Sequence, residues 1–114
     1  MNSILSQRIK ELRTQQGVGV RELGRIIGKT GQHISNIEKG IGNPSAEVIV
    51  DIAKALNADK DELLHLAELV DPQVVDVINQ KPSSIPAFLR SAGDLSDDQW
   101  IELQAYAEKL KSES

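Results

Sequence analysis

Apolar residues along this chain recur three and four positions apart, and nowhere do they alternate with polar residues between hairpin turns. That spacing predicts an all-α fold. Ile4, Leu5, Ile9 and Leu12 share one stripe and predict a first helix over residues 3–16, stopped at Gly17. Val20, Leu23, Ile26 and Ile27 predict a short second helix, stopped at Gly28. Thr30 is placed to cap a third helix that carries Ile34 and Ile37 and ends at Gly40. The loop Gly40-Ile41-Gly42-Asn43-Pro44 cannot be helical throughout. Ser45 then caps a fourth helix with Val48, Ile49, Ile52, Ala53 and Leu56 facing inward. Asp59-Lys60-Asp61-Glu62 has the spacing of a capping box and predicts a fifth helix reaching about Leu69.

A boundary is predicted at Val70-Asp71-Pro72, where Asp71 stands as an N-cap before a proline at the first helical position. Residues 72–79 predict a short helix. Ile85, Phe88 and Leu89 lie on another, ended by Gly93, and Ser96-Asp97-Asp98-Gln99 is a second capping-box pattern. It opens a last helix with Trp100, Leu103, Ala107 and Leu110 on one stripe. Two regions are therefore expected: residues 1–69 as a five-helix domain, and 71–114 as a helical oligomerisation or partner-binding segment. So short a segment cannot bury Phe88, Leu89, Trp100, Leu103, Tyr106 and Leu110 by itself. Those side chains are expected to meet the first five helices or a second chain.

Composition narrows the classes. The chain has 114 residues, 39% of them hydrophobic and only 3% aromatic, so its core must be aliphatic. It has no cysteine, which excludes disulfides and thiolate metal sites. Met1-Asn2-Ser3-Ile4-Leu5 runs into Arg8, Lys10 and Glu11, which is unlike a leader peptide. No stretch approaches the roughly 20 apolar residues that span a bilayer. A cytoplasmic protein with no membrane contact is expected.

The formal net charge is −4, yet its distribution is uneven. Residues 1–43 carry seven basic side chains (Arg8, Lys10, Arg13, Arg21, Arg25, Lys29, Lys39) against Glu11, Glu22 and Glu38. Residues 44–69 and 70–114 are each net acidic. Phosphate binding depends on the local patch and not on the sum.

The second and third helices are separated by only a few residues, which is the helix-turn-helix arrangement; its second helix enters the major groove. A small residue is needed where the helices cross, and Gly24 supplies it. A glycine suits the turn, and Gly28 supplies that. Leu23, Ile27, Ile34 and Ile37 are placed to knit the pair together. Gln32, His33, Ser35, Asn36 and Lys39 fill the positions that face a groove.

These residues carry a resemblance. Gly28-Lys29-Thr30-Gly31-Gln32-His33-Ile34-Ser35-Asn36-Ile37-Glu38-Lys39-Gly40, followed by Asn43-Pro44-Ser45, resembles the recognition helix and following loop of the lambda-repressor/Cro/Xre family. Asp51-Ile52-Ala53-Lys54-Ala55-Leu56 and Asp61-Glu62-Leu63-Leu64 are similar to that family's fourth and fifth helices. The resemblance covers residues 5–66. It implies a five-helix lambda-repressor-like domain that binds double-stranded DNA. It places base contacts at Gln32, His33 and Asn36, with Gly31 beside them, and phosphate contacts at Arg21, Thr30, Ser35, Lys39 and Asn43. Gln and Asn suit adenine, since each offers a donor and an acceptor on one edge. The chain departs from the family at Gly19-Val20, where Ser or Thr then Gln is usual, and at Gly31, where Gln is common.

Other groups read as structural. Glu38 is expected to hold the recognition helix, and His65 to be an ordinary surface histidine. Two distant histidines make a poor metal site, so no metal or cofactor is expected. Gly17, Gly19 and Gly24 follow no strand and do not form a nucleotide loop. Asp97, Asp98 and Glu102 sit where they favour a helix dipole. No nucleophile stands with a base, so no catalytic residues are expected and the chain is not read as an enzyme.

The resemblance implies a transcriptional regulator, a repressor binding a palindromic operator as a homodimer. Its dimer interface would be formed by Phe88, Leu89, Trp100, Leu103, Tyr106 and Leu110. The segment 71–114 also resembles, in layout, the C-terminal dimerisation segments of Xre-type repressors, including those governed by an antirepressor or a partner peptidase. An antitoxin or adaptor that uses the same fold to hold a protein partner, such as a toxin, is the alternative.

Overall fold

A computed structural model describes residues 3–114; Met1 and Asn2, which open the N-terminal run read above, lie outside the described residues. Among the described residues every regular element is an α-helix: α1 (Ser3–Gln15), α2 (Val20–Ile26), α3 (Gly31–Glu38), α4 (Ala46–Ala55), α5 (Lys60–Leu66), α6 (Pro72–Gln80), α7 (Ser84–Ala92) and α8 (Asp97–Ser112). The chain divides into two compact units, one through Asp76 and one of Val77–Ser114.

In the first unit, side chains start the helices and a left-handed residue stops them. The Thr30 hydroxyl accepts from the His33 N–H and the Ser45 hydroxyl from the Val48 N–H, while the Asp59 carboxylate accepts from the Asp61 and Glu62 N–H groups. Gly19 precedes α2 with no side-chain cap. All five helices close with the same turn, in which a residue of positive φ follows the C-cap and the next N–H reaches back five residues. In α2 this residue is Gly28 (φ 74°), and the Lys29 N–H bonds the Gly24 carbonyl at 2.7 Å.

Two helix ends differ from the sequence expectation. α5 stops at Leu66 and not near Leu69, because Glu68 adopts φ 58° and the Leu69 N–H closes onto the Leu64 carbonyl. No glycine marks that stop, so the pattern carried no sign of it. The expected capping box of α5 is also only half formed, since the Glu62 carboxylate accepts from Arg8 Nε at 2.9 Å. The box at Ser96 is complete, with Gln99 bonding back to the Ser96 N–H.

The core of the first unit is aliphatic. Leu5, Ile9, Leu23, Ile34, Ile37, Ile49, Ile52, Ala53, Leu56, Leu63 and Leu64 form one cluster. Two residues assigned to the inner stripes are solvent-exposed: Ile4 at 65% and Ile26 at 54%. Successive residues are about 100° apart around a helix. The buried face of α2 runs through Leu23, Gly24 and Ile27, which rotates its centre well away from Ile26. Ile4 lies a similar step off the Leu5–Ile9–Leu12 line.

Polar anchors tie these helices together. The Ser6 hydroxyl donates to the Ile37 carbonyl at 2.7 Å, and the Gln16 amide donates to the Leu56 carbonyl. Asp71 accepts from Lys60 Nζ at 2.7 Å and from the Gln73 N–H at 2.9 Å, so it both pairs with α5 and caps α6. The mutual hydrogen bond raises the Lys60 pKa and, with the Gln73 N–H, lowers that of Asp71.

The Val77–Ser114 unit is built differently. Among its residues only Ala92 is buried. Val77, Phe88, Leu89, Trp100, Ile101, Tyr106 and Leu110 are exposed.

Candidate DNA-binding surface

α2 and α3 are the most closely packed pair of helices in the first unit. Gly24 makes this possible. A Cβ there would lie 2.7 Å from both the carbonyl carbon and the oxygen of Thr30, closer than any side chain tolerates. The approach at Gly31, at the start of α3, is close but less tight: a Cβ would lie 3.0 Å from Arg21 Cγ and 3.2 Å from Arg21 Cα. A side chain at this position would need Arg21 to give by a few tenths of an ångström. The vacant Cβ direction of Gly31 faces Arg21 of α2.

Arg13 anchors α3 from behind. Its guanidinium is forked onto Glu38, Nε to Oε2 at 2.6 Å and Nη2 to Oε1 at 2.9 Å, and its Nη1 bonds the Val18 carbonyl at 2.8 Å. The side chains are 13% and 8% exposed, so the pair is largely shielded from water. The hydrogen bond to Glu38 raises the Arg13 pKa above its ordinary value. The structural part expected of Glu38 is thus filled. Its partner Arg13 was not foreseen, since nothing local connects residues 25 positions apart.

On the other side of α3, Gln32 and Asn36 stand one turn apart. Gln32 Nε2 donates to Asn36 Oδ1 at 2.9 Å. The pair leaves the Gln32 carbonyl oxygen and the Asn36 amide N–H groups without a partner among the side-chain hydrogen bonds of the described residues. The four-residue spacing was the available signal for this link. Thr30 accepts from the His33 N–H at 3.1 Å, and its own hydroxyl proton is free to donate.

His33 differs from its outward assignment. The residue is half-buried, and its Nε2 is shut from solvent with no hydrogen-bond partner among the described residues. Ser35 is half-buried, while Arg21, Lys39 and Asn43 are exposed. Arg21, Arg25, Lys29 and Lys39 take part in none of the ion pairs among the described residues. Four uncommitted cations thus sit on α2, the turn and the end of α3. His65 is exposed, and no cluster of potential metal ligands occurs among the described residues. No helix among them is long and apolar enough to cross a membrane.

The residues expected at a dimer interface lie in the second unit. Phe88, Trp100, Leu103, Tyr106 and Leu110 line an apolar cleft of about 600 Å³ between α7 and α8, and Leu89 is exposed on α7.

The helix-turn-helix family profile matches residues 9–63. An uncharacterised HTH-type transcriptional regulator of Mycobacterium tuberculosis is 34% identical over 74 residues, covering 61% of this chain and 53% of the relative. The chain thus spans about half the length of that relative. YgzD of Bacillus subtilis, an uncharacterised HTH-type transcriptional regulator, is 33% identical over 64 residues, 56% of this chain and 97% of the relative. Among solved structures, the restriction-modification controller protein C.AhdI of Aeromonas hydrophila superposes with a TM-score of 0.51 at 31% identity, over 54% of this chain and 88% of its own. With α2 and α3 crossing at Gly24 and the family match spanning both, this chain belongs to the helix-turn-helix transcriptional regulators of the lambda-repressor/Cro/Xre type.

Proposed function

We propose that this chain binds double-stranded DNA and regulates transcription as a repressor, reading a palindromic operator as a homodimer. The observation that carries this reading is the Gln32–Asn36 pair on α3, flanked by the uncommitted cations Arg21 and Lys39. The pair offers an acceptor and donors side by side. Adenine presents the complementary N6 donor and N7 acceptor in the major groove. Arg21, Lys39 and Asn43 supply phosphate contacts, joined by the Thr30 hydroxyl, and Ser35 adds a further polar group. One eight-residue helix reads too few bases for specificity, and a two-fold dimer reads two half-sites. Repression needs only occupancy of the operator.

Selection from random DNA with the purified chain tests the reading. The expected result is enrichment of a palindromic site whose binding weakens steeply with salt. Asn36→Ala should lose about 1–3 kcal/mol and relax preference at one base position in each half-site. Equal enrichment of the same site by wild type and Asn36→Ala would remove Asn36 as a reader. A flat salt response with no preferred site would instead favour the antitoxin or adaptor reading. The exposed apolar cleft of the Val77–Ser114 unit keeps that reading in view.

A further inference from the structure

α8 combines an uncovered apolar seam with a charge order that reverses from end to end. Trp100, Leu103, Ala107 and Leu110 follow a 3-4-3 spacing, which places them at positions a, d, a and d of a heptad. Trp100 and Leu110 are exposed, Ala107 is exposed and Leu103 is half-buried. Asp97 occupies the first turn and Lys111 the last. In the same register both fall at position e, with Gln104 between them.

We propose that α8 is the dimerisation helix and that two copies of it pair antiparallel. The occupant of the cleft is thus the α8 of a second copy of this chain. In the antiparallel register each a residue faces a d residue. Trp100 then meets Leu110 of the other copy, and Leu103 meets Ala107, so every layer sets a larger side chain against a smaller one. Position e faces position e. Asp97 of each copy is thereby brought to Lys111 of the other, and Gln104 meets Gln104. Tyr106, 58% exposed, falls at position g next to the two-fold axis and packs on its own copy. The helix dipoles also oppose each other favourably.

The parallel register does the reverse. It stacks Trp100 on Trp100 and sets Ala107 opposite Ala107, and because e faces g across a parallel seam it leaves Asp97 and Lys111 with no opposite charge to meet. Charge order and side-chain size therefore select one orientation. Helix α8 has 16 residues, which is only two heptads, so the cleft wall from α7, above all Phe88, adds necessary area.

This inference rests on the dimer in the functional reading above, and its test separates the two. Sedimentation equilibrium of the full chain at low salt measures the dimer dissociation constant. Asp97→Lys and Lys111→Asp should each weaken the dimer about tenfold, because two symmetry-related pairs turn from attraction to repulsion. Combining both substitutions should restore dimerisation. Asp98→Lys controls for the loss of an acidic residue in the first turn of α8, and it should leave the dissociation constant unchanged, since position 98 points away from the seam. A dimer whose strength ignores both reversals would overturn the antiparallel pairing while leaving the dimer reading intact. A chain that remains monomeric at high micromolar concentration would overturn both and leave the cleft to a different protein.

Discussion

The two units of this chain spend similar sequence on opposite purposes. The first unit turns its isoleucines and leucines into one closed cluster, with Ile9, Leu23, Ile34, Ile49, Ile52, Leu56 and Leu63 inaccessible to solvent. The second carries the chain's only Phe, Trp and Tyr, and leaves all three exposed. Its last helix is well capped at Ser96, whereas Ser83 gives α7 no side-chain cap, and the unit has no core of its own. Capping settles where a helix begins and is worth about 1 kcal/mol. Burial of apolar area is what holds helices together. In the proposed dimer a second copy covers this unit, and its stability is then expected to depend on concentration.

That contrast can be broken most sharply by the same truncation in each unit. Ile34→Ala should destabilise the first unit by about 2–5 kcal/mol in denaturant unfolding, from lost transfer energy and an unfilled cavity. Leu110→Ala should change that unfolding by less than about 0.5 kcal/mol at low concentration, since Leu110 is half exposed. Its effect should appear as a weaker dimer in sedimentation. Equal losses in unfolding would mean that the second unit has a core after all.

The next largest effect concerns how the first unit holds its recognition helix. Glu38→Ala leaves the shielded Arg13 guanidinium without its forked partner and should cost about 3 kcal/mol. Arg13→Met with Glu38→Leu should recover most of it, because an apolar pair of similar volume carries no desolvation cost. Failure of the double variant to recover would show that the ion pair fixes α3 through its geometry and not merely by filling space.

The smallest effect is pH-dependent and lies where α5 meets α6. The Asp71 pKa is depressed by Lys60 and by the Gln73 N–H, so its contribution is present above the unfolded value near 3.8. It is lost as pH falls through the folded value. Asp71→Asn should therefore lower stability at pH 7 and flatten its decline in acid. An identical acid profile for wild type and Asp71→Asn would mean that the pair contributes nothing measurable.

Much of the first unit was legible in residue order. Thr30, Ser45 and Asp59 announced helix starts, and Gly17, Gly28 and Gly40 announced stops, because caps and left-handed turns are local events. The crossing at Gly24 was legible as well, since a helix pair joined by so short a turn demands a small residue. The end of α5 was not. Glu68 takes a left-handed conformation that its residue type does not favour, and no neighbour in sequence signals it. The site was legible in outline only. Gln32 and Asn36 were placed correctly on α3, but their mutual hydrogen bond and the shielded Nε2 of His33 depend on rotamers and packing.

Helical period, caps and turn residues thus dictated, from order along the chain alone, eight helices and a helix-turn-helix pair; each depends on groups within about one turn of each other. Contacts between distant residues required the fold. Arg13 with Glu38, Lys60 with Asp71, and Gly31 under Arg21 join positions that nothing local relates. The same distinction separates Ile26 from Ile27. Both are apolar and adjacent, yet the close approach of α3 at Gly24 rotates one inward and leaves the other in water. Periodicity gives a helix an apolar side, and packing against neighbours decides where the centre of that side falls.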